Sequence, residues 1–153
     1  MIRKEPSITV AEEHLEKAER NLLAMEAMFQ NKHFDWTIVT SYYAMYHAAL
    51  SALWLIGLDA RSHECAVMAF EAFYAKKGKV DGKYVEYIQR AKGLSEKYAE
   101  TLETIRTLRV KASYGIGEIK SAEAELARSA ARDFVAAIRG LLAEAKGFGY
   151  IKM

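Results

Sequence analysis

Residues 36–58 read WTIVTSYYAMYHAALSALWLIGL and contain no Asp, Glu, Lys or Arg. A run of this length is long enough for a helix to cross a bilayer. Thr37, Thr40, Ser41, Tyr42, Tyr43, Tyr46, His47 and Ser51 would then sit in lipid, at an insertion cost that argues against a span. A helix that is apolar all round is instead expected at the centre of a bundle. Ser41, Ala44, Ala48 and Ser51 recur at helical spacing, so neighbouring helices can approach closely there while the aromatic residues fill the other faces. Asp35 is placed to cap this central helix, and Gly57 to end it.

The flanking segments carry one-sided patterns. Thr9, with Glu12 three residues later, predicts a capping box at the start of a first helix. Its apolar stripe is Ala11, Leu15, Ala18, Leu22, Met25 and Phe29, in alternating steps of four and three. Residues 30–34 form a polar loop. Beyond a short connection over residues 59–61, Ser62 is expected to cap a third helix reaching about Tyr74, with Cys65, Met68, Ala69, Ala72 and Phe73 inward. Lys76, Lys77, Lys79 and Lys83 surround a turn built on Gly78 and the Asp81-Gly82 pair. Tyr84, Ile88, Ala91, Tyr98, Leu102, Ile105 and Ala112 then fit a repeat of four and three whose two remaining slots hold Ser95 and Arg109, and Gly93 is the natural place for a kink or split. Residues 114–120 form a loop whose lone GxG lacks a third glycine and a preceding strand. A last helix is expected from a Ser121 cap to about Lys146, with Leu126, Ala130, Phe134, Ile138, Leu141 and Ala145 on its stripe and Gly147 as its stop. No stretch reads as a strand. The expected fold is an all-α, antiparallel up-and-down bundle of four to six helices, in one domain over residues 1–153.

Charge and composition narrow the function. The 22 basic and 20 acidic side chains leave a net charge of +2, so any electrostatic site must be local. A lone cysteine, Cys65, excludes a disulfide within the chain, and the opening MIRKEPSITVAEEHLEKAE lacks the apolar core of a signal peptide. A cytoplasmic protein without membrane contact is the expectation. Cys65 is either a small core hydrophobe or a thiol activated in the first turn of the third helix. The lysine-rich turn is either a solvated loop or a phosphate contact. His14 and His33 are expected at the surface, His47 as a hydrogen-bonded core residue, and His63 as a helix cap or anion binder. No metal-ligand spacing links the four histidines, so neither a metal nor another cofactor is expected. No GxSxG nucleophile motif is present.

Arg109 stands out, because helical spacing puts it on the face of Tyr98, Leu102 and Ile105. An unpaired buried guanidinium costs several kcal/mol. Its partner is then Glu64 or Glu71 on the third helix, a residue of another subunit, or a bound phosphate; the plainer reading is that Arg109 snorkels at the end of the stripe.

Three segments together resemble the small prokaryotic and archaeal HEPN-domain proteins: SYYAMYHAAL at residues 41–50 after Asp35-Trp36, DARSHECAVMAF at 59–70, and RVKASYG at 109–115. The resemblance implies a helical bundle, often homodimeric, that binds nucleotide or RNA and is paired with a minimal nucleotidyltransferase in a toxin–antitoxin-like arrangement. Several such families are metal-independent endoribonucleases that use an Arg followed, after four to six residues, by a His. Here Arg109 matches the Arg, but Tyr114 stands five positions on and no His follows. A neutral phenol titrating near 10 is a poor general base at pH 7. Val110 replaces a commonly polar residue, and Ser113 the Asp of the subgroup without His. The resemblance groups Arg109 and Tyr114 with His47 and Tyr43 as one ligand-binding cluster, the Arg holding a phosphate and a Tyr ring stacking a base. If the protein is a ribonuclease, Arg109, Tyr114 and His47 are the catalytic candidates; the blandest alternative is a purely structural dimerisation protein, with the 148–151 end as one possible contact.

Overall fold

The computed structural model describes the backbone of residues 1–108 and 121–152 and the side chains of residues 1–97 and 121–147. Among these residues the chain forms five α-helices: α1 (Ile8–Gln30), α2 (Phe34–Leu55), α3 (His63–Phe70), α4 (Lys83–Leu108) and α5 (Ser121–Lys152). Two short strands, β1 (Ile2–Arg3) and β2 (Leu58–Asp59), pair antiparallel. The architecture is the expected helical bundle, and no helix among the described residues is long and apolar enough to cross a membrane.

α2, free of charge from Trp36 onward, is the axis, lying against each of the other helices. Ser41, Ala44, Ala48 and Ser51 are wholly buried, as their spacing predicted. A buried hydroxyl left without a partner costs about 1–3 kcal/mol, so each needs an acceptor. Thr37 Oγ1 donates to the His33 carbonyl (2.9 Å) and Ser41 Oγ to the Ile38 carbonyl (2.7 Å) within the helix. Ser51 Oγ reaches across to the Ala11 carbonyl of α1 at 2.7 Å. Asp35 does not occupy the cap position; His33 does, and Asp35 sits in the first turn, where a negative charge suits the helix dipole.

α1 keeps its expected stripe, with Ala11, Leu15, Ala18 and Met25 buried and Leu22 and Phe29 half-buried. Its cap is Ser7 rather than Thr9. Ser7 donates its N–H to the Trp54 carbonyl (3.1 Å), which holds it extended, and its hydroxyl accepts the Val10 N–H (3.1 Å). Thr9 and Glu12 therefore lie inside the helix. The segment before it, which carried no strand signal, runs along the end of α2: Ile2 pairs with Asp59, Arg3 with Leu58, and the Lys4 N–H bonds the Gly57 carbonyl at 2.7 Å.

The faces of α3 and α5 differ from expectation. In α3, Ala66, Val67, Ala69 and Phe70 are buried while Met68 is 63% exposed. A π-helical turn at Glu71–Ala75 adds a residue to the register, so Tyr74 rather than Phe73 points fully inward, and its hydroxyl donates to the Ala52 carbonyl. Ala72 is exposed. In α5 the buried row is Ala124, Ala127, Ala131, Phe134, Val135, Ile138 and Leu142; Leu126 is 56% exposed, and the helix continues through Gly147. α4 passes through Gly93 without a break. It runs antiparallel to α5, Tyr84 meeting Phe134 edge-on at 5.7 Å and Leu94 packing on Ile38 and Ala127.

Charged pairs clamp α5 to α1. Arg128 lies over the Phe29 ring (4.6 Å) and donates from Nε to Glu26 (2.9 Å) and from Nη1 to Glu125 (2.9 Å). Arg139 reaches Glu19 (3.2 Å) and Lys146 reaches Glu12 (3.0 Å).

Gly57 adopts φ +74°, and a Cβ there would run into the Lys4 carbonyl and the Pro6 ring. Gly57→Ala is expected to lower unfolding stability by about 2–3 kcal/mol, combining left-handed strain with the clash. Urea unfolding of the variant beside wild type measures it.

Candidate functional site

The site is built on α2. Tyr42, Tyr43, Tyr46 and His47 leave it on one flank, because positions three and four apart share a side of a helix. Tyr42 is buried, Tyr46 and His47 are half-buried, and Tyr43 is 39% exposed. α3 adds His63. Its first turn is fixed by Ser62, whose hydroxyl accepts the Cys65 N–H (3.1 Å). The imidazole stacks on Tyr46 with 4.1 Å between centroids and meets the Tyr42 and Tyr43 rings at 5.5 and 5.9 Å.

Tyr42 Oη lies 2.6 Å from His63 Nδ1. Burial, with the neighbouring Tyr46, Tyr43 and Glu96, raises the phenol pKa, so Tyr42 stays protonated. Its hydroxyl has no other hydrogen-bond partner among the described residues, and the pairing that leaves no buried hydroxyl hydrogen unsatisfied has it donating to Nδ1, with the proton of the neutral imidazole on Nε2. Nε2 has no hydrogen-bond partner among the described residues. Burial, then the charge of Lys92, lowers the His63 pKa, with Glu96 opposing. Lys92 and Glu96 are themselves paired along α4 at 3.5 Å.

A second imidazole pair lies beyond Tyr46. His47 Nδ1 faces His14 Nδ1 of α1 at 3.3 Å, with the rings nearly parallel. Two nitrogens this close share one proton, one donating and one accepting. Burial pushes His47 down to about 4, and the charges of His14, Lys17, His63 and Arg20 add to the effect. His14 is lowered by burial and by Lys17, against Glu13 and Asp59. His47 is thus hydrogen-bonded as expected. His14 is half-buried rather than on the surface.

Of the expected cluster, Tyr43 and His47 share the α2 flank; Arg109 and Tyr114 lie outside the described residues, as does any pairing of Arg109 with Glu64 or Glu71. Cys65 is half-buried against the core. Lys77, Lys79 and Lys83 lie over the rings of Phe73, Tyr74 and Tyr84 at 5.3–5.6 Å. Among the described residues no three His, Cys, Asp or Glu side chains gather as metal ligands. Sequence reasoning missed the Tyr42–His63 bond and the His14–His47 pair. The second had a signal, since both histidines flank small residues of a close helix pair: Ala11 and Ala18 beside His14, Ala44 and Ser51 beside His47.

These features define a small helical bundle whose buried central helix opens on one flank through tyrosine and histidine. The HEPN domain family matches residues 11–141, and the chain belongs to that family. Over 130 residues it is 28% identical to the Methanocaldococcus jannaschii protein named "Putative toxin MJ0605", covering 85% of this chain and 87% of that one. Another protein of the same organism, "Putative toxin MJ0142", is 25% identical over 65% of each chain. The Pyrococcus horikoshii "UPF0332 protein PH1297" is 27% identical over 53% of this chain and 57% of its own.

The paired histidines make stability acid-sensitive. A ring held near 4 when folded but titrating near 6.5 when unfolded takes up its proton on unfolding, so its contribution is complete above pH 6.5 and is lost as pH falls toward 4. With the ring only half-buried, the loss attributable to it between pH 7.5 and 5 is about 1 kcal/mol. Urea unfolding at both pH values is expected to show this loss in wild type and to show it diminished in His47→Gln.

Proposed function

We propose that this is a toxin-type HEPN module that binds a nucleotide or RNA through Arg109, Tyr114, Tyr43 and His47. It works in the cytoplasm as a single-domain homodimer, paired with a minimal nucleotidyltransferase in a toxin–antitoxin-like system. The observation that carries this reading is the Tyr43 ring, 39% exposed on a helix whose other sides are packed, in contact with the rings of Tyr46 and His63. An exposed aromatic face is a stacking platform worth about 1–3 kcal/mol per base. The Arg109 guanidinium supplies the matching phosphate contact, bidentate and charge-assisted. Membership of the HEPN family and the toxin names of the two Methanocaldococcus relatives support the same assignment.

A metal-independent endoribonuclease is the second reading, favoured by the imidazoles of His63, which meets Tyr43, and His47, which meets Tyr46. Purified protein incubated with structured RNA in EDTA, wild type beside Arg109→Ala, separates the two. Binding predicts retention on a gel without cleavage, weakened about tenfold or more in Arg109→Ala. Cleavage by wild type alone establishes the ribonuclease instead. Equal retention by both folded proteins overturns the Arg109 assignment.

A further inference from the structure

The tyrosines of α2 hold one imidazole in a defined orientation and leave half of it unused. His63 is wedged against Tyr46, with Tyr42 and Tyr43 beside it, and Tyr42 occupies its Nδ1. With Tyr42 donating to Nδ1, the opposite ring nitrogen carries the hydrogen, and it has no acceptor among the described residues. An N–H held in this way is suited to an anion, and the Lys92 ammonium reaches the ring electrostatically from α4. Glu96 faces the same ring from α4, and its carboxylate is engaged by Lys92. His47 offers nothing equivalent at Nδ1, which is committed to His14.

We infer that His63 Nε2–H is a phosphate-binding donor of this flank, set beside the Tyr43 stacking face, and that Tyr42 is the positioning residue that fixes its tautomer. The ligand class is a phosphodiester or phosphomonoester carrying a base, as in single-stranded RNA or a mononucleotide. This rests on the reading that the chain binds nucleotide or RNA. It adds a residue outside the Arg109 cluster and gives the Tyr42–His63 bond a use beyond satisfying the buried Tyr42 hydroxyl.

The test uses the full chain and a short fluorescent single-stranded RNA, followed by anisotropy. Asn in place of His63 retains an acceptor where Nδ1 stood but no donor where Nε2–H stood; Gln restores a donor amide there. His63→Asn is expected to weaken binding about tenfold or more, and His63→Gln to stay within about threefold of wild type. His33→Asn, at the exposed α1–α2 turn, leaves affinity unchanged. Ring-nitrogen NMR of wild type titrated with inorganic phosphate reads the contact without substitution: the His63 Nε2 signal shifts, and in Tyr42→Phe the tautomer populations relax from nearly all Nε2–H toward those of a free histidine. Binding that Arg109→Ala weakens but His63→Asn does not, or a His63 Nε2 signal unmoved by saturating phosphate, overturns this inference alone. A folded wild type that binds no RNA overturns both it and the reading beneath it.

Discussion

The structure depends on burying one helix on nearly every side. α2 carries no charge between Trp36 and Leu55, so its neighbours must cover it, and they can do so closely only where its side chains are small. Ser41, Ala44, Ala48 and Ser51 supply that closeness, and the serine hydroxyls end on backbone carbonyls rather than in apolar contacts. Large side chains finish the core above this layer: Phe70 of α3 stacks on Phe134 of α5 at 5.2 Å, and Tyr84 of α4 closes on Phe134 edge-on. The charged helix faces turn outward, where the α1–α5 ion pairs are partly exposed and add little per pair.

One register runs the length of the α1–α2 pair and continues into the strands. Ile2 lies opposite Asp59, Lys4 bonds Gly57, Ser7 bonds Trp54, Ala11 receives the Ser51 hydroxyl, and His14 meets His47. Every advance along one segment is matched by a retreat along the other. The histidine pair is therefore positioned by the same hairpin that the glycine at its end permits. The β1–β2 ribbon is too short to be stable alone, and it is held because Gly57 lets the N-terminal strap lie against the end of α2.

The bundle, its axis and the α1 stripe were legible because charge-free length and alternating steps of three and four are strong signals. The α5 stripe was not, for a geometric reason. Steps of four advance about 40° past a full turn, so three of them carry Leu126 roughly 120° from Ile138. The observed Ala124, Ala127, Ala131, Phe134 and Ile138 alternate three and four and stay on one side. After α3 the Ala72 and Phe73 error came from the π-helical turn at Glu71–Ala75, which brings Tyr74 inward, whereas Met68 is exposed upstream of that turn. The site was half legible: Tyr43 and His47 share a flank as their spacing required, whereas Tyr42–His63 is a contact between helices that no periodicity encodes.

Two histidines that both meet the Tyr46 ring thus take different parts. His47 joins α2 to α1 through His14, and its low pKa keeps it uncharged at neutral pH, so a ligand contact it makes is a hydrogen bond and not an ion pair. His63 is oriented by Tyr42, with its remaining N–H uncommitted among the described residues. In a protein of net charge +2, attraction for a polyanion must come from a few placed groups. The neutral imidazole donor we infer at His63 is such a group: with Lys92 and Glu96 paired on α4 and opposed in their effect on the ring, it works through direction rather than charge.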